Sequence, residues 1–262
     1  MTILSRFRTN RSLTSAETVE VSEQGGLRSL HLGSDTVQST MRIADPIELV
    51  LSYTRAMMGF LLFHPQPRHV AMLGLGGGSL AKFVHHRVPD ASVTVVENNP
   101  QVIAAARSLF SLPPASERFA VIEGDGADWV RDHPDGCDVL MVDAYDGDAQ
   151  VGELATEGFY AEAASALQDD GVLVVNLWSS DRSFDLYLRR IERAFDGRVL
   201  CLPAERRGNV AIFGFRRAPG PVRWPALRHR ATQLAKAVGL EFPDYVERLQ
   251  EMNPHDDKRL II

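Results

Sequence analysis

Acids crowd one short stretch of the chain. In "VDAYDGDAQ" (142–150), Asp143, Asp146 and Asp148 fall within six positions, with Tyr145 among them. Carboxylates gathered this closely suit a cationic substrate, and one whose pKa is raised by its surroundings can take a proton from an amine. Asp143 directly follows the apolar run and is the candidate general base. Asp146 is the second candidate, Asp148 reads as a solvated loop acid, and Tyr145 reads as a pocket wall. Three carboxylates can also hold magnesium, but nothing else in the chain implies a phosphate substrate, and no metal is expected. His85 and His86 have no partner at metal-ligand spacing and are read as surface residues.

Glycines form the second signal. "HVAMLGLGGGSLAKF" (69–83) contains Gly74, Gly76, Gly77 and Gly78. Glycine inside a regular element costs stability, so the cluster asks for a reason. A tight strand-to-helix turn, where a ligand presses on the main chain, supplies one. Glu97 ends the next apolar run, 21 residues after Gly76, where it can accept hydrogen bonds from two ribose hydroxyls. Asp125, in "EGDGAD", ends a third run. It can accept from an adenine amino group, and Gly126 leaves room for the ring. Each residue also has a plain reading as a turn former, and glycine turns also serve packing. At successive strand ends, together, they favour a nucleoside site. A dinucleotide would need its pyrophosphate on the helix N-terminus. "GLGGGS" lacks the third-glycine spacing of that fingerprint, so a nicotinamide enzyme ranks third among the readings.

These positions need a scaffold that brings strand ends together. "HVAMLGL" (69–75), "SVTVVEN" (92–98), "FAVIEGD" (119–125), "DVLMVDAY" (138–145) and "GVLVVNLW" (171–178) read as strands, near-continuously apolar where both faces are covered. Between or after them, 79–88, 100–110, 156–167 and 183–195 read as helices, with Pro100 and Thr156 placed to start two of them. A final pair, 198–204 and 209–217, is expected to be antiparallel, 224–239 to be a closing helix, and the tail "NPHDDKRLII" (253–262) to be frayed. Upstream, the alternation around Gly25-Gly26 predicts a hairpin, and 46–63 reads as one helix opened by Pro46. Strand and helix in alternation predict an α/β fold with a mostly parallel, seven-stranded sheet. The expected division is a short N-terminal β-hairpin region (1–45), a nucleoside-binding catalytic domain (46–218) and a helical tail (219–262).

Composition bounds the partners. The 262 residues are 45% hydrophobic and carry a net charge of −6, which argues against a nucleic-acid binder. Two distant cysteines, Cys137 and Cys201, imply no disulfide framework and a reducing compartment. The first residues lack an apolar core of signal-peptide length and "MMGFLLF" (57–63) is too short for a membrane span, so a cytoplasmic protein without membrane contact is expected.

From about Gly26 to about Arg217, the chain resembles the spermidine synthase family of aminopropyltransferases. "LGLGGGSL" is similar to its glycine motif, "VVENNPQVIAAAR" to its ribose-binding segment, "EGDGADWV" to its adenine-binding segment and "VDAYDGDA" to its catalytic Asp-x-x-Asp loop. The resemblance implies a Rossmann-like, class I S-adenosylmethionine-dependent transferase fold. It implies decarboxylated S-adenosylmethionine as co-substrate, a polyamine such as putrescine as acceptor, Asp143 as base and Asp146 as an anchor for the amine. It places Gln38 near the sulfonium, Ser79 at the cofactor's tail and Tyr53 and Tyr145 at the acceptor, and suggests a homodimer to which the hairpin and "MMGFLLF" contribute. The chain departs from the family pattern where Ser79 replaces an aspartate and where Tyr53-Thr54-Arg55 replaces Tyr-His-Glu. Ser79 keeps a methyltransferase using intact S-adenosylmethionine as the second reading, and a non-catalytic nucleoside-binding homologue is a further alternative.

Overall fold

β-Branched runs alternating with amphipathic stretches build the expected layered architecture. A computed structural model describes residues 18–33, 36–143, 145–146, 149–150, 152–204 and 208–262, without the side chains of 145, 146, 149 and 150. The N-terminal strands β1 (Val19–Gln24), β2 (Leu27–Leu32) and β3 (Val37–Arg42) form an antiparallel sheet. Gly25 and Gly26 both have positive φ at the β1–β2 turn, the geometry a two-residue hairpin needs.

Next come α1 (Ser52–Met57), β4 (His69–Leu73), α2 (Ser79–Arg87), β5 (Ser92–Glu97), α3 (Pro100–Leu109), β6 (Phe119–Glu123), α4 (Gly126–Asp132) and β7 (Cys137–Val142). Two short strands, β8 (Tyr145–Asp146) and β9 (Ala149–Gln150), precede α5 (Glu157–Ala166), β10 (Leu167–Trp178), α6 (Phe184–Ala194), β11 (Val199–Pro203) and β12 (Asn209–Phe215). The chain then forms β13 (Val222–Arg223), α7 (Trp224–Val238), α8 (Phe242–Met252) and β14 (Arg259–Leu260). Among the described residues, the central sheet has seven strands in the order β11-β12-β10-β7-β4-β5-β6. Its pairings are parallel except those of β12, which runs against both neighbours.

Alternate side chains serve opposite layers. Val139 and Met141 of β7, with Val172 and Val174 of β10, join the core that includes residues of α1, α2, α7 and α8. Leu140, Val142, Leu173 and Val175 join the core built with α4, α5 and α6. Thr156 caps α5 as expected, its hydroxyl accepting the Phe159 N–H at 3.0 Å.

Three expectations need correction. The helix expected over 46–63 is six residues of α1 followed by a 3-10 turn, Met58–Leu62. Arg55 takes the Leu49 and Val50 carbonyls with its guanidinium, and Pro46 lies outside any helix. Met57 to Leu62 is buried in the protein's own core, where a Cβ on Gly59 would meet Leu202 at 2.7 Å, so this segment does not offer an interface. The tail over 253–262 is not frayed but contains β14, and 240–252 before it, given no element by the sequence, holds α8. Phe242, Tyr245, Val246 and Leu249 bury one face of α8, and Leu260 is buried as β14 pairs with β13. The Asn253 amide accepts from Cys201 N at 2.7 Å and donates to Cys201 O at 2.8 Å, covering the β11 edge much as a strand would. No helix among the described residues is long and apolar enough to cross a membrane.

Candidate active site

Strand register sets the site in a row. Val142 pairs with Leu73 on one side and Val175 on the other, and Leu73 pairs with Val96. The next residues along these parallel strands, Asn176, Asp143, Gly74 and Glu97, therefore follow one another across the carboxyl edge of the sheet. Ligands of open α/β sheets bind at that edge. A cavity of about 530 Å³ opens there.

The glycine loop bends because Gly74, Gly76 and Gly78 all adopt positive φ. Gly74 and Gly76 line the cavity; Gly77 and Gly78 are not among its lining residues. A Cβ at Gly77 would lie 2.7 Å from Phe110 Cδ1 and 2.9 Å from Ser39 Oγ, and one at Gly78 would lie 2.5 Å from Leu112 Cδ1. Half of the cluster thus serves close packing of the chain on itself. Ser79 also lines the cavity, its hydroxyl 3.3 Å from that of Ser39 and 3.4 Å from the Thr40 carbonyl, so β3 closes over the loop. Gln38, one residue before Ser39, is a cavity wall too.

Glu97 accepts the Leu75 N–H on one carboxylate oxygen at 2.9 Å and the Asn99 N–H on the other at 2.8 Å. Burial pushes its pKa up, and these hydrogen bonds oppose the rise. The Asn98 N–H is a third donor to this carboxylate, which keeps acceptor capacity for a ribose hydroxyl. Asp125 caps α4, its Oδ1 accepting from Ala127 N at 2.7 Å and Asp128 N at 3.0 Å, while the residue lines the cavity. Gly126 lines it as well, and a Cβ there would approach Leu73 Cδ1 to 3.2 Å.

Asp143 accepts from Asn176 Nδ2 on Oδ1 at 2.9 Å. Desolvation raises its pKa to about 6, against the lowering effect of hydrogen bonds from Asn176 and Tyr53. The Tyr53 hydroxyl also lies 3.3 Å from the Gln38 carbonyl. Its single proton serves one acceptor at a time, and the ionised carboxylate is the stronger. Of the acidic loop, the backbones of Tyr145 and Asp146 pair with Gln150 and Ala149. Asp148, and the side chains of Tyr145 and Asp146, lie outside the described residues.

Sequence reasoning missed Asn176, Asn209, Trp178 and Glu153, all of which line the cavity. Asn176 carried a signal: it is the one polar residue in "VLVVNLW", and it is buried. Thr54 lines the cavity, whereas Arg55 is engaged elsewhere, with Glu241 at 2.9 Å. His86 is exposed as expected, but His85 is half-buried with its ring against Phe119. At the opposite end of β7, His64, Asp138 and Asp170 bring ligand-type atoms within 4.8 Å of one another, a cluster that spacing did not reveal.

The fold is the Rossmann-like one of class I S-adenosylmethionine-dependent transferases. The spermine/spermidine synthase domain profile matches residues 50–193. A polyamine aminopropyltransferase of Chromobacterium violaceum is 45% identical over 257 residues, covering 98% of this chain and 98% of its own. A spermidine synthase solved with the transition-state analogue AdoDATO superposes with a TM-score of 0.65 at 23% identity, over 79% of this chain and 73% of that one. Human methyltransferase-like protein 13, solved with SAH, superposes with a TM-score of 0.61 at 24% identity, over 79% and 96%. Two chemistries share this fold, and the relative matched over nearly the whole chain is named for aminopropyl transfer. The chain belongs to the spermine/spermidine synthase family and is a transferase.

Proposed function

We propose that this chain moves an aminopropyl group from decarboxylated S-adenosylmethionine to a diamine such as putrescine, with Asp143 as general base. The observation that carries the reading is the charge of the cavity. Its described lining includes four carboxylates, Glu97, Asp125, Asp143 and Glu153, and no lysine, arginine or histidine. Such a cavity favours a cationic sulfonium donor and a cationic amine.

The residues take distinct parts. Glu97 and Asp125 hold the ribose and the adenine, while Gly74 and Gly76 admit the nucleoside to the main chain. Asp146 and Tyr145 belong to the proposed amine site by family resemblance. The amine nitrogen's lone pair attacks the aminopropyl carbon next to sulfur. The carbon–sulfur bond breaks, its electrons return to sulfur, and neutral 5′-methylthioadenosine leaves. Before that attack, the reacting ammonium gives a proton to Asp143, which frees the lone pair; Asp143 afterwards returns the proton to solvent. A carboxylate near pKa 6 is a better base than an exposed aspartate, closing part of the gap to an alkylammonium near 10. Holding both partners in line supplies much of the rate.

Ser79 favours methyl transfer as a second reading, because its hydroxyl does not repel the carboxylate of intact S-adenosylmethionine as an aspartate would. One experiment decides between them. The protein is incubated with each nucleoside and a panel of diamines, and product masses are read. Aminopropylated amine from the decarboxylated donor supports the proposal; methylated amine from the intact donor overturns it. The same reading carries a cytoplasmic homodimer, tested by light scattering of the purified chain and by cell fractionation.

A further inference from the structure

We propose that Asn209 and Asn176 are positioning residues: a relay of two side-chain amides that fixes the direction of the Asp143 carboxylate. The inference rests on the reading of Asp143 as base.

Register brings the three together. Val175 pairs with Val142, so Asn176 and Asp143 are the next neighbours along parallel β10 and β7. Trp178 pairs with Asn209 across antiparallel β10 and β12, which makes Asn209 a diagonal, same-face neighbour of Asn176. That face is the one on which Met141, Val174 and Ala211 share a core with residues of α1, the helix that bears Tyr53.

Hydrogen bonding gives the relay a polarity. Asn209 Nδ2 donates to Asn176 Oδ1 at 3.0 Å, and Asn176 Nδ2 donates to Asp143 Oδ1 at 2.9 Å. A carboxamide has one donating and one accepting end, and an ionised carboxylate only accepts. Were the Asn176 amide reversed, its oxygen would face the carboxylate oxygen. Asn209 opposes that reversal, because its own donor already occupies Asn176 Oδ1. Asn176 is 3% exposed, so solvent does not readily replace either bond. With Oδ1 held, the carboxylate plane does not turn freely and its remaining lone pairs keep one direction. Among the described residues, the titratable groups that share the cavity with Asp143 are Tyr53, Glu97, Asp125 and Glu153, and Asp146 follows it closely in sequence.

The test compares variants at Asn209, the end of the relay farther from Asp143. Asn209→Leu removes the donor, Asn209→Asp replaces it with an acceptor that favours the reversed amide, and Asn209→Gln keeps a donor. Three quantities are read: kcat with decarboxylated S-adenosylmethionine and putrescine, KM for putrescine, and titration of the Asp143 carboxyl carbon by NMR. The expected result for Asn209→Leu and Asn209→Asp is a kcat lower by about 10- to 100-fold with KM little changed. The Asp143 titration should move up, by about one unit in Asn209→Asp. Asn209→Gln should recover most of the lost rate. An unmoved Asp143 titration in both disruptive variants overturns the relay, as does a raised KM with kcat intact, which would make Asn209 a substrate contact. Failure of the base reading looks different: Asp143→Asn would then keep its turnover whatever the Asn209 variants do to the titration.

Discussion

Glu97 Oε2 accepts the backbone N–H of Leu75 at 2.9 Å, so the acid placed to hold a ribose also holds the glycine loop. Glu97→Gln keeps the side chain's shape but replaces one acceptor oxygen with an amide donor that cannot accept these N–H groups. Nucleoside affinity should fall about 10- to 100-fold, and unfolding free energy by about 1–3 kcal/mol. Calorimetric titration with 5′-methylthioadenosine and urea unfolding measure the two effects. A variant that keeps both would show that the carboxylate holds neither loop nor ligand.

The glycines should separate by cause. Gly78→Ala combines a φ of +70° with a Cβ 2.5 Å from Leu112 Cδ1, whereas Gly25→Ala has a φ of +59° and open space around it. Gly25→Ala should cost about 1–2 kcal/mol from backbone strain alone. Gly78→Ala should cost about 1–3 kcal/mol more, since Leu112 must move. Urea unfolding of both variants checks the order; equal losses would contradict it.

Lys82 gives a pH signature of stability. It is 1% exposed, donates to the Phe110 carbonyl at 2.7 Å, and has a pKa lowered to about 8 by burial. In the unfolded chain a lysine titrates near 10.4. Between these values the unfolded state binds more protons, so the lysine contribution makes stability rise with pH there, by up to about 3 kcal/mol. Cys137 and Cys201 act in the other direction. Burial raises their pKa values to about 12 and about 11, so their contribution falls once pH passes the unfolded thiol value. The difference between the parent chain and Lys82→Met isolates the lysine. It should rise from pH 8 to 10.5 in denaturant titrations; a flat difference would contradict the assignment.

Much of this site was legible in the chain because parallel strands announce themselves as apolar runs whose last residue is polar. Asp143 and Glu97 stand at such ends, and register then puts them at one edge. Asn176 and Asn209 were not read because amide pairing depends on which strands lie side by side. The separation of 33 positions between Asn176 and Asp143 says nothing of that. The glycine cluster was half legible: its turn follows from local sequence, but the crowding of Gly77 comes from Phe110 and Ser39, distant in sequence. The Phe242, Tyr245, Val246 and Leu249 periodicity of α8 was available and unread. The early end of the helix expected over 46–63 reflects tertiary contacts, with Gly59 wedged against Leu202 and Phe213.

Asp143 is the point on which the chemistry turns, and the pH profile of kcat/KM with decarboxylated S-adenosylmethionine and putrescine tests it most directly. Its pKa is raised to about 6, so the protonated, inactive form predominates below that pH. The account predicts that kcat/KM falls about tenfold per pH unit on the acid side of this value, and that Asp143→Asn loses at least about 100-fold at neutral pH while still binding 5′-methylthioadenosine. A profile that stays level down to pH 5, with Asp143→Asn turning over at the parent rate, would contradict it.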